Sequence, residues 1–514
     1  MNVGDMLANS AAQYPDKTAI IFRDQPTNYA EFNLRANQVA NGLIDLGVRK
    51  GDRVGLLLHN IPLFLEAYYG VLKAGAVVVP MNVLYKQGEV AYIMRDCGAK
   101  ALLTFAPFAP VALAAASECP DLKHVIVAAP VAVPGALSWA QTIGAAPATP
   151  PHVEVREDDL AVLSYTSGTT GRPKGAMLTH GNLLANIEEN SDIQQIKISS
   201  DDVVWLGLPL FHIYGMNVGM NNTIHYGGTM LVVERFEPLA TLEDIQKHRV
   251  TVIYGAPPMF IAWSQVPTIR ETDFSSVRFI SSGAAALPVA IIGLFQELTH
   301  APITEGYGLS EASPVLTTNA AGPYTKPGTV GPAIPGVEIK IVDDAGNEVP
   351  HGEMGELIAR GPNIMVGYWN QPQATADTLR DGWLYTGDLA TEDEDGYITI
   401  VDRKKDMIVV SGYNVYPREV EEMLYQHPAV ADAAVVQYPD PYQGESVLAF
   451  VVRKEGQNVS AQELIDFCRS QIAVFKCPRR IEFVDELPKN NTGKVLRRQL
   501  RDQANQLAQT SQAS

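Results

Sequence analysis

Between Tyr165 and His180 the chain reads YTSGTTGRPKGAMLTH, which sets Ser167, Thr169 and Thr170 among Gly168, Gly171 and Gly175 and adds one cation, Lys174. Small donors, free backbone and a single positive charge suit a polyphosphate. Glycines let backbone N–H groups approach an anion closely, and successive N–H groups form an anion-binding nest. The spacing is not that of a P-loop, which needs G-x-x-x-x-G-K-[ST]. Here Lys174 is followed by Gly175, so the P-loop mechanism does not carry over. The bland alternative is a surface loop, because Gly, Ser and Thr gather in turns for conformational reasons alone.

Three more stretches have the composition of ligand contacts. In EGYGLSE (Glu305 to Glu311) two glycines flank an aromatic and a hydroxyl precedes an acid. The aromatic can stack on a base, and a carboxylate near phosphates serves best as a Mg²⁺ ligand. In YTGDL, Asp388 stands behind a Gly turn with Arg403 further on, a pair able to hold the two hydroxyls of a ribose. PKNNTGK ends in Lys494, again behind a Gly turn. Read singly, each has an ordinary counterpart: a turn, a surface salt bridge, a solvated lysine.

The elements that must position these residues follow from pattern. A chain of 514 residues exceeds the ~250–300 at which a single core stops growing, so two domains or more are expected. A hydrophobic share of 46% and a charged share of 19% are those of a globular protein. With 39 basic and 57 acidic residues the net charge is −18, which argues against nucleic acid as a partner. Cys97, Cys119, Cys468 and Cys477 lie far apart with no metal-ligand spacing and read as reduced thiols. There is no signal-like start and no apolar run of ~18 residues, so a cytoplasmic protein without a transmembrane segment is expected.

Phe32, Ala36, Val39, Leu43 and Leu46 recur at helical spacing before Gly47, predicting a helix over Tyr29 to Leu46. Short apolar runs at Val54–Leu58, Ala76–Val79, Ala101–Phe105, His124–Ala128 and Leu160–Tyr165 alternate with helical patterns, which predicts parallel βαβ units. Further runs follow at Trp205–Leu210, Thr229–Val233, Val252–Tyr254 and Phe279–Ser281. Ala129 to Pro151 reads as a surface connection. Val337 to Arg360 alternates apolar and polar residues around a DAGN turn and reads as antiparallel strands, a small barrel-like piece. A capping box at Ser460 opens a helix to Ile472, with strands at Val447–Arg453 and Ile481–Val484. The fold class expected is α/β: a large N-terminal domain (1–402) of parallel-rich sheets and helices, a hinge (403–405), a small mobile α+β domain (406–502) and a frayed tail (503–514).

Taken in order, YTSGTTGRPKG, SSGAAALP (Ser281 to Pro288), EGYGLSE, YTGDL, VDRKKDMIVVSGYNVYPREVE (Val401 to Glu421) and PKNNTGK resemble the motif set of the adenylate-forming acyl-CoA synthetases, relatives of luciferases and peptide-synthetase adenylation domains. The similarity runs from Gly70 to Lys494, and the chain resembles bacterial medium- and long-chain fatty-acid–CoA ligases and hydroxycinnamate–CoA ligases.

The resemblance implies a carboxylic acid, ATP with Mg²⁺, and coenzyme A as partners, with no tightly bound organic cofactor. The acid becomes an acyl-adenylate with loss of pyrophosphate, then a thiol displaces AMP. By position, Thr166, Ser167, Gly168, Thr169, Thr170 and Lys174 would hold the outgoing phosphates, and Thr166 and Glu311 the Mg²⁺. Tyr307 would stack on adenine beside Gly283, Ala284 and Ala285, with Glu305, Gly306, Gly308 and Ser310 alongside. The family commonly has Thr where this chain has Ser310; the hydroxyl is kept. Asp388 and Arg403 would take the ribose. Lys494 would bridge the substrate carboxylate and the α-phosphate, and His212 would lie beside that carboxylate. The family turns its small domain between the two steps about a position matching Lys405, and Ser411, Gly412 and Tyr413 would then line the coenzyme A channel.

The candidate acyl pocket, also by position, comprises Tyr214, Met216, Val218, Gly219, Pro257, Met259, Gly283, Gly306, Pro314 and Val315. It holds no lysine or arginine for a second carboxylate, and its region lacks the Asp with which peptide-synthetase domains hold an amino group. Gly215 and Gly219 beside flexible Met216 favour an extensible channel, hence a medium- to long-chain fatty acid, with aryl and hydroxycinnamic acids as the alternative. A non-catalytic nucleotide- or acyl-binding protein is the reading of a different class, and it would have no need of Lys494. Monomer and homodimer are equally compatible with the sequence.

Overall fold

The computed structural model describes residues 1–166, 173–285, 287–411, 413–440, 444–489 and 493–512. They form two compact units, Met1–Glu338 with Ala359–Leu384, and Ile339–Ile358 with Tyr385–Ser514.

The first unit holds two eight-stranded sheets. One runs in the order Gly367–Tyr368, Lys174–Thr179, Leu160–Thr166, Val77–Pro80, Arg53–Leu57, Ala101–Phe105, His124–Ala128, Leu137–Ser138. From Leu160–Thr166 onward it is parallel. Its strands are continuous apolar runs because helices cover both faces, and Val77 to Pro80 are all buried. Leu57, Val79, Met94, Leu102 and Leu163 belong to one core cluster on this sheet. The other sheet runs Val315–Thr318, Ile303–Gly308, Phe279–Ser282, Val252–Gly255, Val203–Leu206, Thr229–Val232, Thr18–Phe22, Gln25–Asn28, parallel except at its two edges.

Most of the expected strands and helices form close to the predicted bounds. Ala101–Phe105 and His124–Ala128 match at both ends, and the predicted first long helix is Tyr29–Asp45. That helix packs on Pro62–Lys73 where Gly70 meets Val39: a Cβ at Gly70 would come within 2.3 Å of the valine Cβ, so only glycine permits the approach.

Four differences have physical causes. The strand expected over Trp205–Leu210 ends at Leu206, since Gly207 is packed under the Trp205 ring and Pro209 has no N–H to donate. Lys174–Thr179, not among the expected strands, returns antiparallel to Leu160–Thr166, whose ladder supplies its backbone hydrogen bonds. Tyr214–Asn221 is a π-helix, which leaves no signal at the ordinary helical period. The tail expected from Gln503 is instead the second half of the helix Arg497–Gln512, whose Leu500, Ala504 and Ala508 form a buried stripe.

The chain passes between the units within the strands Glu338–Val342, Gly355–Arg360 and Trp383–Glu392 of a five-stranded sheet. In the second unit Ile398–Arg403 pairs antiparallel with Trp383–Glu392, so compact packing does not break at Asp402, where the domain boundary was expected. Beyond it lies a sheet in the order Tyr413–Val415, Ile408–Val410, Gly444–Arg453, Val430–Asp440, with Arg480–Phe483 on Gly444–Arg453. The Ser460 capping box is present and opens Ala461–Gln471. The four cysteines are unpaired and buried, and among the described residues no helix is long and apolar enough to cross a membrane.

Candidate active site

In the first unit the hairpin register sets Thr166 opposite Lys174. Ser167, Gly168, Thr169 and Thr170 lie outside the described residues. The Lys174 ammonium stands 5.1 Å from the centre of the Tyr368 ring, a cation–π distance. The hydroxyl of the same tyrosine donates to Glu311 Oε1 at 2.8 Å. Thus Lys174 and Glu311, 137 positions apart in sequence, share one side chain that sequence reading missed. Thr166 and Glu311 offer a hydroxyl and a carboxylate, hard oxygen donors that fit Mg²⁺ completed by phosphate and water.

Ser310 and Glu311 open a single 3₁₀ turn, Ser310–Ala312. Three buried asparagines from separate parts of the chain hold the backbone that follows. Asn363 Nδ2 donates to Ala312 O (2.9 Å) and Val315 O (3.0 Å), Asn217 Nδ2 to Ser313 O (2.7 Å), and Asn186 Nδ2 to Val315 O (2.9 Å). A loop cannot satisfy its own carbonyls when buried, and these amides do so.

The expected adenine segment follows the strand Phe279–Ser282 and precedes the helix Val289–Thr299. Ala284 and Ala285 are exposed, and Ala284 holds φ at +72°, a conformation that costs a non-glycine residue about 1 kcal/mol or more and gathers at ligand sites. Buried Glu305 accepts from Leu287 N at 2.8 Å, which anchors the far end of that segment. Gly306, Tyr307 and Gly308 lie in the strand Ile303–Gly308, with Tyr307 opposite Thr317.

His212 is half-buried. Its Nδ1 accepts from Tyr214 N at 3.3 Å, which leaves Nε2 to carry the proton of the neutral ring. Tyr214, Met216, Val218 and Gly219 belong to the π-helix, and the Tyr214 hydroxyl is held by Ser281 at 3.2 Å. Gly283 gives this ring its room, since a Cβ there would come within 2.9 Å of it. Pro257 and Met259 are buried on the helix Pro257–Ser264. Gly306 closes against Thr317 O, and Pro314 is buried beside half-buried Val315. Gly215 and Gly219 have a packing role: a Cβ would meet Pro209 O at 2.6 Å in the first and Leu206 Cδ1 at 2.6 Å in the second, and Met216 is fully buried. Their absent side chains are filled by neighbours, so these glycines say nothing for a longer channel.

In the second unit Asp388 and Arg403 are cross-strand partners, with Arg403 Nε 3.3 Å from Asp388 Oδ1. Asp388 is buried, and the turn before it is fixed by Gly387 N donating to Glu356 Oε1 at 3.1 Å. Lys494 is exposed, yet the protein crowded around it strips water and, with Arg403, Arg497 and Lys405 near, lowers its ammonium pKa to about 8. Asp388 opposes the shift. The ribose pair and the bridging lysine named by sequence are therefore neighbours here. Three residues on from Lys494, Arg497 donates to both oxygens of buried Glu421 (2.7 and 2.6 Å), and Arg501 pairs with Asp406 at 2.5 Å, seating the helix that begins there. The charge alternation RRQLRDQ alone gave no hint of this. Lys405 is exposed, with its pKa lowered by burial of its stem and by Arg403. Ser411 holds φ at +52°, Gly412 lies outside the described residues, and exposed Tyr413 packs at a tilt against Phe475 with ring centres 4.9 Å apart.

The chain is similar to known relatives along nearly its whole length. Residues 7–369 match the family of AMP-binding enzymes and residues 419–494 the AMP-binding enzyme C-terminal domain. A long-chain-fatty-acid–CoA ligase of Bacillus subtilis (strain 168) is 40% identical over 96% of this chain and 93% of its own length. A feruloyl-CoA synthase of an Amycolatopsis species is 38% identical over 97% and 98%. A solved anthranilate CoA ligase in complex with anthranoyl-AMP superposes with a TM-score of 0.90 at 32% identity, over 99% of this chain and 98% of that one. The chain belongs to the AMP-binding enzyme family and is an AMP-forming acid–thiol ligase that uses ATP, Mg²⁺ and coenzyme A.

Proposed function

We propose that this ligase activates acids with an apolar tail, medium- to long-chain fatty acids in the first place, in the cytoplasm. One observation supports the substrate reading: of the residues expected by position to line the acyl pocket, Tyr214, Met216, Val218, Met259 and Pro314 are all buried, and none of the expected set is a cation that could pair with a second charge. The 40% identical fatty-acid–CoA ligase supports it.

In the first step an oxygen of the substrate carboxylate bonds to the α-phosphorus of ATP as the bond to pyrophosphate breaks. Two anions must approach, and the Lys494 ammonium, still largely charged near neutral pH, lies between them in this reading. Asp388 accepts the ribose hydroxyls, with Arg403 beside it. His212, donating from Nε2, orients the carboxylate. Lys174 and the stretch from Thr166 hold the departing phosphates, and Thr166 and Glu311 hold Mg²⁺, which supplies charge neutralisation as those phosphates leave. In the second step the coenzyme A sulfur attacks the acyl carbonyl and AMP departs. No protein nucleophile is required.

An aryl or hydroxycinnamic acid is the second reading. Tyr214 and Tyr254 meet edge to face at 6.2 Å, an arrangement that suits a flat ring, and the feruloyl-CoA synthase is 38% identical. AMP release should be measured with hexanoate through stearate, benzoate and coumarate, each with and without coenzyme A. The fatty-acid reading expects turnover to rise with chain length and to exceed both aryl acids. A preference for coumarate would overturn it.

A further inference from the structure

The segment Asn363 to Trp369 joins the candidate metal residue to the candidate phosphate lysine. At one end Met365 N donates to Glu311 O at 2.8 Å and Asn363 holds Ala312 O and Val315 O. At the other, Val366 N donates to Met177 O and Trp369 N to Gly175 O, with Tyr368 paired to Ala176 next to the strand start at Lys174. Gly367 makes the junction possible: its φ of +142° and a Cβ position 2.7 Å from Thr375 Cγ2 admit only glycine. Tyr368 is thus delivered with its ring under Lys174 and its hydroxyl on Glu311 Oε1, and both the tyrosine and the glutamate are 9% exposed.

A carboxylate has two oxygens to offer a cation. Ca²⁺ readily takes both at about 2.3–2.6 Å, whereas Mg²⁺ demands near-octahedral geometry at about 2.0–2.1 Å, which a single oxygen serves better. The phenol already occupies Oε1 of Glu311.

We propose that Tyr368 is a positioning residue that restricts Glu311 to one-oxygen coordination and so selects Mg²⁺ over Ca²⁺ for the nucleotide site. The inference rests on the reading of Glu311 as the cation's ligand, and the two can be tested apart.

The measurement is calorimetric titration of ATP into the full-length protein without acid substrate, in excess Mg²⁺ and separately in excess Ca²⁺. The quantity read is the ratio of the two affinities. Tyr368→Phe keeps the ring beneath Lys174 and removes only the hydroxyl. It should lower the Mg²⁺-to-Ca²⁺ ratio about fivefold or more, the equivalent of about one net hydrogen bond. Because the ratio is taken within one preparation, a smaller folded fraction does not imitate the effect. Glu311→Gln should weaken ATP binding in both cations. If Glu311→Gln weakens binding while Tyr368→Phe leaves the ratio at its wild-type value, the role of Tyr368 is overturned and Glu311 stands. If Glu311→Gln leaves the cation dependence intact, the ligand reading falls and this inference with it.

Discussion

Glu311 and Lys174 sit on backbone that is hydrogen-bonded from several sides, whereas Lys494 stands at the threshold of a helix among like charges. In the first region the asparagine amides and the strand Gly367–Tyr368 fix atoms in place, and among the described residues few of the contacts are ionic. In the second, desolvation first and then Arg403, Arg497 and Lys405 lower the proton affinity of one lysine against the opposing pull of Asp388. The difference suits two tasks. In the proposed scheme, phosphates that leave as a unit are served by a fixed cradle, while a group that engages in one step and withdraws in the next is served by a charge whose proton affinity its neighbours lower.

Removing the charge from the second region should break this contrast most severely. Lys494→Ala is expected to slow acid-dependent pyrophosphate release by about two to three orders of magnitude, the usual loss when a group that stabilises transition-state charge is deleted. Thioester formation from supplied acyl-adenylate should change little, because in the proposed scheme Lys494 acts in the first half only. Pyrophosphate release at the wild-type rate would falsify the bridging role.

Lys405→Pro separates the halves in the opposite sense. Proline fixes φ and so restricts the torsions a hinge must vary. Pyrophosphate release should be largely retained, and thioester formation from the adenylate should fall about tenfold or more. Rapid-quench measurement of each half-reaction checks it; an equal fall in both would remove Lys405 from the hinge.

Sequence reading reached the two regions unequally, for reasons that lie in particular residues. The parallel strands were legible because burial on both faces writes them as unbroken apolar runs, as in Ala101–Phe105. Asp388, Arg403 and Lys494 were legible as types, although their closeness was not, since their separations in sequence carry no geometry. The link through Tyr368 was hidden because Glu311 is 57 positions away and a lone Gly-Tyr pair has no pattern of its own. The π-helix carrying Tyr214 and Met216 defeats any search at the α-helical period. Gln- and Ser-rich composition concealed the helix Arg497–Gln512, whose stripe of Leu500, Ala504 and Ala508 needed the Arg497–Glu421 pair to seat it.

A gentler test of the contrast is pH. Lys494 carries its charge below about 8 and loses it above, so kcat/KM for ATP in the pyrophosphate-releasing step should fall on the alkaline side of about 8, approaching tenfold per pH unit. Lys494→Arg should abolish that limb, since a guanidinium stays charged, at whatever lower rate its shape allows. Thioester formation from supplied adenylate should show no such fall, and if anything should rise as the attacking thiol ionises. An alkaline limb that survives in Lys494→Arg would belong to some other group.

The smallest effect expected is on stability alone. Ser460 caps Ala461–Gln471 by accepting from Glu463 N at 3.2 Å while Glu463 accepts from Ser460 N at 2.8 Å. Ser460→Ala should lower the local opening free energy of that helix by about 1 kcal/mol, read by amide hydrogen exchange. If the second region acts through charge placed near Lys494, both half-reactions should proceed at wild-type rates in this variant, because the charged cluster around Arg497 and Glu421 is untouched. A parallel loss of pyrophosphate release would mean that the rigidity of the second unit limits the chemistry, and the two regions would then work by the same means.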